Sequence, residues 1–448
     1  MATATGWGMS AFATMRPSCK AFSPGLMKGM PDRSARREGR EQKMSADGNC
    51  YRLGHVRFCD DAPELQGILA RAHEGHARPL CQCCEAEPPM YVALINGVFH
   101  LKRMPGTGHA HDLSCPSFDP PPELSGLGPL AGQAIVTDEA GDTTLRLGFS
   151  MSLRGSRQSS DSDEGEAEAA SVTASLRKLR LLALLHYLWD ASGLTTWRKA
   201  YGRRSWWIVH RELSLAAARA RTRAGPLSDI LLVPPPYLVE EKERLAGERR
   251  RFLHKLQPVA GKPTGLGLLV AELKGQEPSQ YGRKLRFKHL PDFSVFLDSE
   301  TAKRFDRAAA RKVRLVEATP NSHLMAIATF AAKGSYAEIR EIALMPVDGR
   351  WIPFEGERDH ALLEALAERD FVRCLPYNLP ADAPIATAVL LDGDGPVALY
   401  APAPDMAVNQ EEDLRRIAAE GIYPAWHWPA GLFDMPELPL RGGHGSRT

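Results

Sequence analysis

Three cysteines within four positions, Cys81-Gln82-Cys83-Cys84, followed by His111 and Cys115, constrain what this chain can fold into more than any other feature. Zinc takes soft or borderline donors in a tetrahedral set, usually as two close pairs that the intervening chain brings together. Cys81 and Cys84 form a C-x2-C pair, and His111 and Cys115 an H-x3-C pair. Between them Met90 to Ile95, a turn at Asn96-Gly97 and Val98 to Leu101 read as a β-hairpin that carries the ligands at its two ends. Such a unit buries little apolar surface, so metal binding would supply most of its folding energy. Alternatives stay open: Cys83 can stand in for Cys81 or Cys84, and His109 for His111, whereas strand alternation points His100 to solvent. Four protein ligands leave no open position, so the expected Zn2+ is structural.

A chain of 448 residues is too long for one ordinary core, which predicts a multidomain protein. The apolar fraction of 44% is that of a folding chain, and the net charge of +2 hides segments of opposite sign. The longest apolar run, LLALLHYLW from Leu181, is interrupted by His186 and falls short of the roughly 20 residues a membrane-spanning helix needs. MATATGWGMSAFATM has neither the basic lead nor the apolar core of a secretory signal, so the expected location is the cytoplasm. The eight cysteines then read as metal ligands and free thiols, not as a disulfide framework.

Along the chain, residues 1–43 carry the basic run Arg33, Arg36, Arg37, Arg40 and Lys43 without periodicity and are expected to be a disordered extension, with Met44 an alternative start. Residues 44–118 form the zinc module, which opens with strand-like Tyr51-Arg52-Leu53 and Val56-Arg57-Phe58 and a short helix from Pro63 to Ala72. A hairpin connector (119–155) leads to an acidic, Ser-rich linker (156–170) that cannot bury enough surface to order itself. Next come a basic helical segment (171–225), an α+β sheet domain (226–358), a C-terminal α/β section (359–440) and a tail (441–448). Strand-like runs at 266–273, 284–290, 324–331, 339–346 and 351–354, with one helix from Ser299 to about Arg314, make the fold class α+β with a mainly antiparallel sheet. Alternation in Leu285-Arg286-Phe287-Lys288-His289-Leu290 predicts a sheet with one solvated face.

The 171–225 segment is the most basic in the chain, with a Leu176, Leu179, Leu182, Leu185, Trp189 stripe on a first helix and a second helix from Trp206 to Ala224. That pair is compatible with a helix-turn-helix. Arg198, Lys199, Arg203 and Arg204 would lie in its turn, and Arg219, Arg221 and Arg223 at the end of its second helix, where they could neutralise phosphates. Trp206, Trp207 and Tyr201 read as core, and the acidic stretch Asp161–Glu168 is expected to compete with DNA for the basic segment.

Catalytic signals are sparse. Glu272-Leu273-Lys274 has the E-x-K form of metal-dependent nucleases, in which carboxylates hold a divalent ion and the lysine assists the attacking water. Cys374 reads as a core thiol.

Two resemblances attach to these residues. The stretch from Leu80 to Phe118, with GVFHLKRMPGTGHAHDLSC, resembles the zinc-binding front part of competence CoiA-like proteins, in which a metal module precedes a nuclease-type domain. From about Tyr51 to Pro439, the runs RPLCQCC, LLHYLWDASGL, RSWWIVHREL, VAELKGQEPSQYGRKLRFKHLPDF, HLMAIATF, EIALMPVDGRWIPFE and YNLP resemble an uncharacterised bacterial family, domain of unknown function 1173. That family is encoded on integrative and conjugative elements and plasmids, which implies a bacterial cytoplasmic protein in a mobile-element context. In the nuclease-type domains, an acidic residue precedes the strand ending in Asp and the next strand carries a glutamate. Here Asp392 has no such companions at Ile385 to Thr387 or Ala398-Leu399-Tyr400, which implies a degenerate copy. The expectation is a zinc-stabilised, nucleic-acid-associated accessory protein of a conjugative element, binding DNA and other proteins of that element. A divalent-metal nuclease using Glu272 and Lys274, or a protein scaffold, are the alternatives.

Overall fold

The computed structural model describes residues 49–442 except 96, 105, 139–140, 154–176, 258–263, 281 and 381–382. The expected N-terminal extension, the acidic linker with its Asp161–Glu168 stretch, and most of the tail lie outside the described residues. In the metal module, β1 (Cys50–Leu53) and β2 (Val56–Cys59) form a hairpin, α1 (Leu65–Glu74) follows, and β3 (Leu80–Cys81) adds to the free edge of β1. β4 (Met90–Ile95) and β5 (Val98–Arg103) make the expected hairpin, Met90 opposite Arg103, turning through Gly97 at a φ of 80° that favours glycine. Helix α1 sets Ile68, Leu69 and Ala72 against that hairpin.

The β1–β2 register puts Cys50 opposite Cys59 with their Cα atoms 4.0 Å apart, and a disulfide joins them. The reading of every cysteine as a ligand or free thiol is therefore corrected for this pair. It failed because opposition across a short hairpin depends on register, which spacing alone does not give. Cys81, Cys83, Cys84, Cys115 and Cys374 are free.

A second hairpin, β6 (Ile135–Thr137) and β7 (Thr143–Leu145), is where the sequence places it. Helix α2 (Leu181–Ala191) is apolar on all sides, and Leu181, Ala183, Leu184, Leu185, His186, Tyr187, Leu188 and Trp189 are all buried. A helix hydrophobic all round belongs inside a protein. After it the chain enters β8 (Thr196–Trp197), then α3 (Trp206–Ala218), then β9 (Ala220–Thr222), which runs parallel to β7 and antiparallel to β10 (Gly225–Pro226). The two helices are thus not joined as a helix-turn-helix, because the connection carries a strand that leaves for the C-terminal sheet.

β11 (Leu231–Leu232) and α4 (Lys242–Lys255) precede the main sheet. Its long strands are β12 (Gly267–Ser279), β13 (Gly282–Phe287), β14 (Ser294–Asp298), β15 (His323–Lys333) and β16 (Tyr336–Val347), with α5 (Ser299–Ala318) between β14 and β15. The order β11-β12-β13-β14-β16-β15 closes on itself, since the first half of β12 pairs with β15 and the second half with β13. A register shift between Leu273 and Gly275 marks the change of partner. All pairs in the closed part are antiparallel except β14–β16, and Leu285 and Phe287 are buried while Arg286 and Lys288 are exposed, as the alternation predicts. Helices α2 and α5 pack against this sheet.

The C-terminal section supplies α6 (Glu357–Ala365), β17 (Phe371–Arg373), β18 (Ala388–Leu390), β19 (Val397–Tyr400), α7 (Val408–Ala419) and β20 (Ala425–His427). Its sheet runs β20-β19-β18-β17-β8, so Thr196–Trp197 from the basic segment completes it. One apolar cluster extends from Leu130 to Tyr377, and the segments 171–225, 226–358 and 359–440 therefore share a core across their expected boundaries.

Candidate metal centre

Cys81 lies on the buried end of β3, Cys83 in the turn that follows, and His111 and Cys115 after β5. Their donor atoms all fall within 4.8 Å of one another, with Cys81, His111 and Cys115 buried. Cys81 Sγ and Cys115 Sγ are 3.8 Å apart, and His111 Nδ1 stands 3.5 Å from Cys83 Sγ and 3.6 Å from Cys115 Sγ. A tetrahedral ion with bonds of about 2.3 Å to sulfur and about 2.0–2.1 Å to nitrogen separates its ligands by about 3.8 Å (S–S) and about 3.5 Å (S–N). These edges match.

Cys83, one of the alternates, occupies the place that the C-x2-C spacing gives to Cys84. The Cys84 thiol sits 3.9 Å from Cys83 Sγ and donates to the Ala110 carbonyl instead. The reason is local: β3 ends at Cys81 and the chain turns at once, which brings the second residue along, not the third, back towards the first. His109 is exposed on a 3-10 turn and takes no part.

Backbone shapes the rest of the site. The Asp112 N–H donates to Cys83 Sγ and the Ser117 N–H to Cys115 Sγ, both at 3.4 Å, which favours thiolates. Gly108 permits the approach of this loop to Asp119, because a Cβ there would lie 2.3 Å from the Asp119 Cβ. Asp119 is in turn held by Arg103 of β5. The contact with the Cys81 thiol, then the His111 contact, pulls Cys115 well below the ordinary thiol range against the opposing effect of burial. The same contact with Cys115, with burial, pushes Cys81 up. His111 Nε2 is buried without a hydrogen-bond partner. Three sulfurs and one imidazole nitrogen can close a coordination shell with no site left for substrate.

The family model described as "Protein of unknown function (DUF1173)" matches residues 51–431, from β1 to beyond β20. The chain belongs to this DUF1173 family. No curated protein and no solved structure matches it. The match includes the Cys/His cluster of this DUF1173 chain, the main sheet and the C-terminal sheet.

The other candidate residues are dispersed. Glu272 is buried on β12, its Oε1 2.8 Å from His323 Nδ1 and paired with Lys288. Burial alone would raise the Glu272 carboxyl, but the bonds to His323 and then Lys288 outweigh it and hold it below its ordinary value. Lys274, on the same strand beyond the change of partner, is exposed and is not the lysine that meets Glu272. Around Glu272, His323 stacks on Trp351 at 4.2 Å, and Trp206 stacks on His289. Trp351 and His289 both have positive φ, 67° and 64°. His323 and Lys288 escape sequence reasoning because strand pairing, not proximity in sequence, brings them to Glu272. Asp392 follows β18 and is taken by Arg369 at 2.6 Å, with Arg441 at 3.7 Å. Among the described residues, the Cys/His cluster is the one group of His, Cys, Asp or Glu donors that converges as a metal site.

The basic residues divide. Arg198 is buried; it donates to the Leu113 and Cys115 carbonyls and pairs with Asp370 at 3.3 Å, tying the metal loop to the start of β17. Arg204 is also buried, bound to the carbonyls of Leu194, Thr196 and Arg350 beside the Trp197 ring. These two serve the core and cannot reach phosphate. Arg219 packs over Tyr91 and pairs with Asp142, and Lys199 pairs with Glu368. Arg203, Arg221 and Arg223 are exposed. Trp206 is core as expected, whereas Trp207 and Tyr201 are exposed, with Arg211 over the Trp207 ring. No helix among the described residues is long and apolar enough to cross a membrane.

Proposed function

We propose that this chain is a zinc-stabilised protein that associates with nucleic acid and acts by binding, as an accessory protein of a bacterial mobile element in the cytoplasm. The observation that carries the zinc assignment is the set of donor separations in the Cys81, Cys83, His111, Cys115 cluster, which fit a small tetrahedral ion with thiolate and imidazole ligands. The closed shell makes the ion a staple. The resemblance of the Leu80–Phe118 stretch to the zinc-binding front part of CoiA-like proteins, and of the chain to a family carried on conjugative elements, supports the nucleic-acid context. DNA is the partner the reading favours, with other proteins of the element beside it.

Binding is favoured over hydrolysis because the carboxylates a nuclease would need are already committed, Glu272 to His323 and Lys288, and Asp392 to Arg369. Metal analysis of the purified protein should find about one zinc per chain, reduced by Cys83→Ser and His111→Ala. A salt-dependent gel shift of the full chain on duplex DNA tests the second half, and no retention at low salt would leave the scaffold reading ahead. Plasmid nicking with magnesium or manganese that Glu272→Ala abolishes would instead establish the nuclease.

A further inference from the structure

Helix α5 carries positive charge that the fold does not use. Asp298 caps it, accepting from the Thr301 N–H at 2.8 Å, and its inner face sets Ala302, Phe305 and Ala309 into the core of the main sheet and Leu315 into the apolar cluster of the C-terminal section. On the outer face Arg304, Arg307, Arg311 and Arg314 are all exposed. Their three-four-three spacing confines them to an arc of about 80°. Among the described residues none of these four forms an ion pair, since Asp306 is engaged by Arg283 and Glu300 by Lys303. Arg304 makes a bond to Thr301 Oγ1 at 3.3 Å and Arg307 one to the Lys303 carbonyl at 3.5 Å. Glu355 feels the charge of Arg311, and Glu300 that of Arg304, without pairing to either. Like charges at i,i+3 and i,i+4 repel one another and weaken a helix, so an unneutralised stripe is a cost that an external counter-charge would relieve.

We propose that this stripe is the surface that contacts a nucleic-acid backbone, an assignment that rests on the nucleic-acid reading above and moves it from the 171–225 segment to α5. Ten residues of helix rise about 15 Å. That is roughly the length over which one strand of B-form DNA presents four phosphates. Guanidinium forks match phosphate oxygens in pairs, and a helix bound to a sheet holds them in fixed register. The outer face between the arginines offers only Ala308 and no large apolar group, which does not suit insertion into a lipid surface. The contact reads phosphate spacing and carries no base recognition.

The test uses the full-length zinc-loaded protein and fluorescence anisotropy over a salt series, with duplex DNA, single-stranded DNA and duplex RNA as separate arms. The triple variant Arg307→Gln, Arg311→Gln, Arg314→Gln should lower the slope of log affinity against log salt by roughly 3 and weaken binding on the order of a hundredfold near 0.1 M salt. Arg221→Gln with Arg223→Gln should change both far less. Unchanged far-UV circular dichroism and zinc content would show the triple variant to be folded. Wild-type binding that the triple variant keeps would overturn the stripe and spare the nucleic-acid reading, whereas no wild-type binding in any arm would overturn both. Competition by polyglutamate as effective as by DNA at equal charge would overturn the phosphate assignment.

Discussion

The metal module and the closed sheet reach their shapes by different means. In the module, the buried apolar cluster comprises Tyr51, Phe58, Ile68, Leu69, Ala72, Cys81, Met90, Val92 and Cys115, so two of its members are also cysteines of the candidate metal site. In the sheet, Leu268, Val270, Ala271, Ile327, Ala328, Phe330 and Ile339 are buried completely or nearly so, and α2 adds a largely apolar, buried helix against it. With zinc bound as proposed, one region would be stapled where the other is packed. A small unit that cannot bury enough surface concentrates its stability in a few strong bonds, whereas a large sheet spreads it over many weak ones. Arg198 joins the module to the C-terminal sheet instead, because it holds the carbonyls of Leu113 and Cys115 from the strand-bearing segment that this sheet claims.

Removing the metal should break this contrast most visibly. Structural zinc contributes about 10–16 kcal/mol to small metal-folded units. Chelation, or Cys83→Ser, should therefore leave the sheet intact while amide exchange across 80–118 approaches unprotected rates. Protection lost equally in β12 and β15 would mean that the module is not a separate staple but part of the global fold.

Next in size is Phe330→Ala. Phe330 is fully buried on β15 opposite Gly267, where a Cβ would approach the Phe330 ring to 2.6 Å, so the glycine is shaped to the ring. The truncation should cost about 3–5 kcal/mol by urea denaturation. Zinc content should not change, and a fall in it would show that sheet and staple are coupled.

How much of this was legible follows the same division. Cys81, His111 and Cys115, the β4–β5 hairpin and α1 are local features read from spacing and turn residues, whereas the C-x2-C spacing favoured Cys84 over the Cys83 that joins the cluster. The long strands β12, β13, β15 and β16 and helix α5 also show their periods. Hidden were the pairings that join distant segments: Thr196–Trp197 with Phe371–Val372, Cys50 with Cys59, and Lys288 and His323 with Glu272. Nothing in the neighbourhood of Arg198 or Arg204 marks them as core groups, and in sequence they are indistinguishable from Arg221 and Arg223. The arginine stripe of α5 also stayed hidden, because its significance depends on which face the sheet covers.

A pH effect separates the regions on a smaller scale. His186, buried on α2, accepts the Tyr377 N–H at its Nδ1, and burial with the charges of Lys312 and Arg373 lowers it to about 3. Between an ordinary histidine value near 6.5 and that lowered value, the unfolded chain binds a proton that the folded chain does not, so stability falls as pH drops through the window. From pH 7 to pH 5 the sheet should lose about 2 kcal/mol from this group. His186→Asn should flatten that part of the dependence. An unchanged slope would mean that the ring is charged in the fold.

The smallest expected effect is the sharpest test of the staple. Cys84 Sγ lies 3.9 Å from Cys83 Sγ and spends its hydrogen on the Ala110 carbonyl, whereas Cys83 Sγ meets His111 Nδ1 at 3.5 Å and accepts from the Asp112 N–H. Both are half-buried and adjacent, so solvent access cannot distinguish them and only the direction of the thiol does. Cys84→Ser keeps a donor for Ala110 and should shift stability by about 0.5 kcal/mol at most, with zinc retained. If instead Cys84→Ser empties the site and Cys83→Ser does not, the ion takes the C-x2-C pair, and the turn after β3 must rearrange around it.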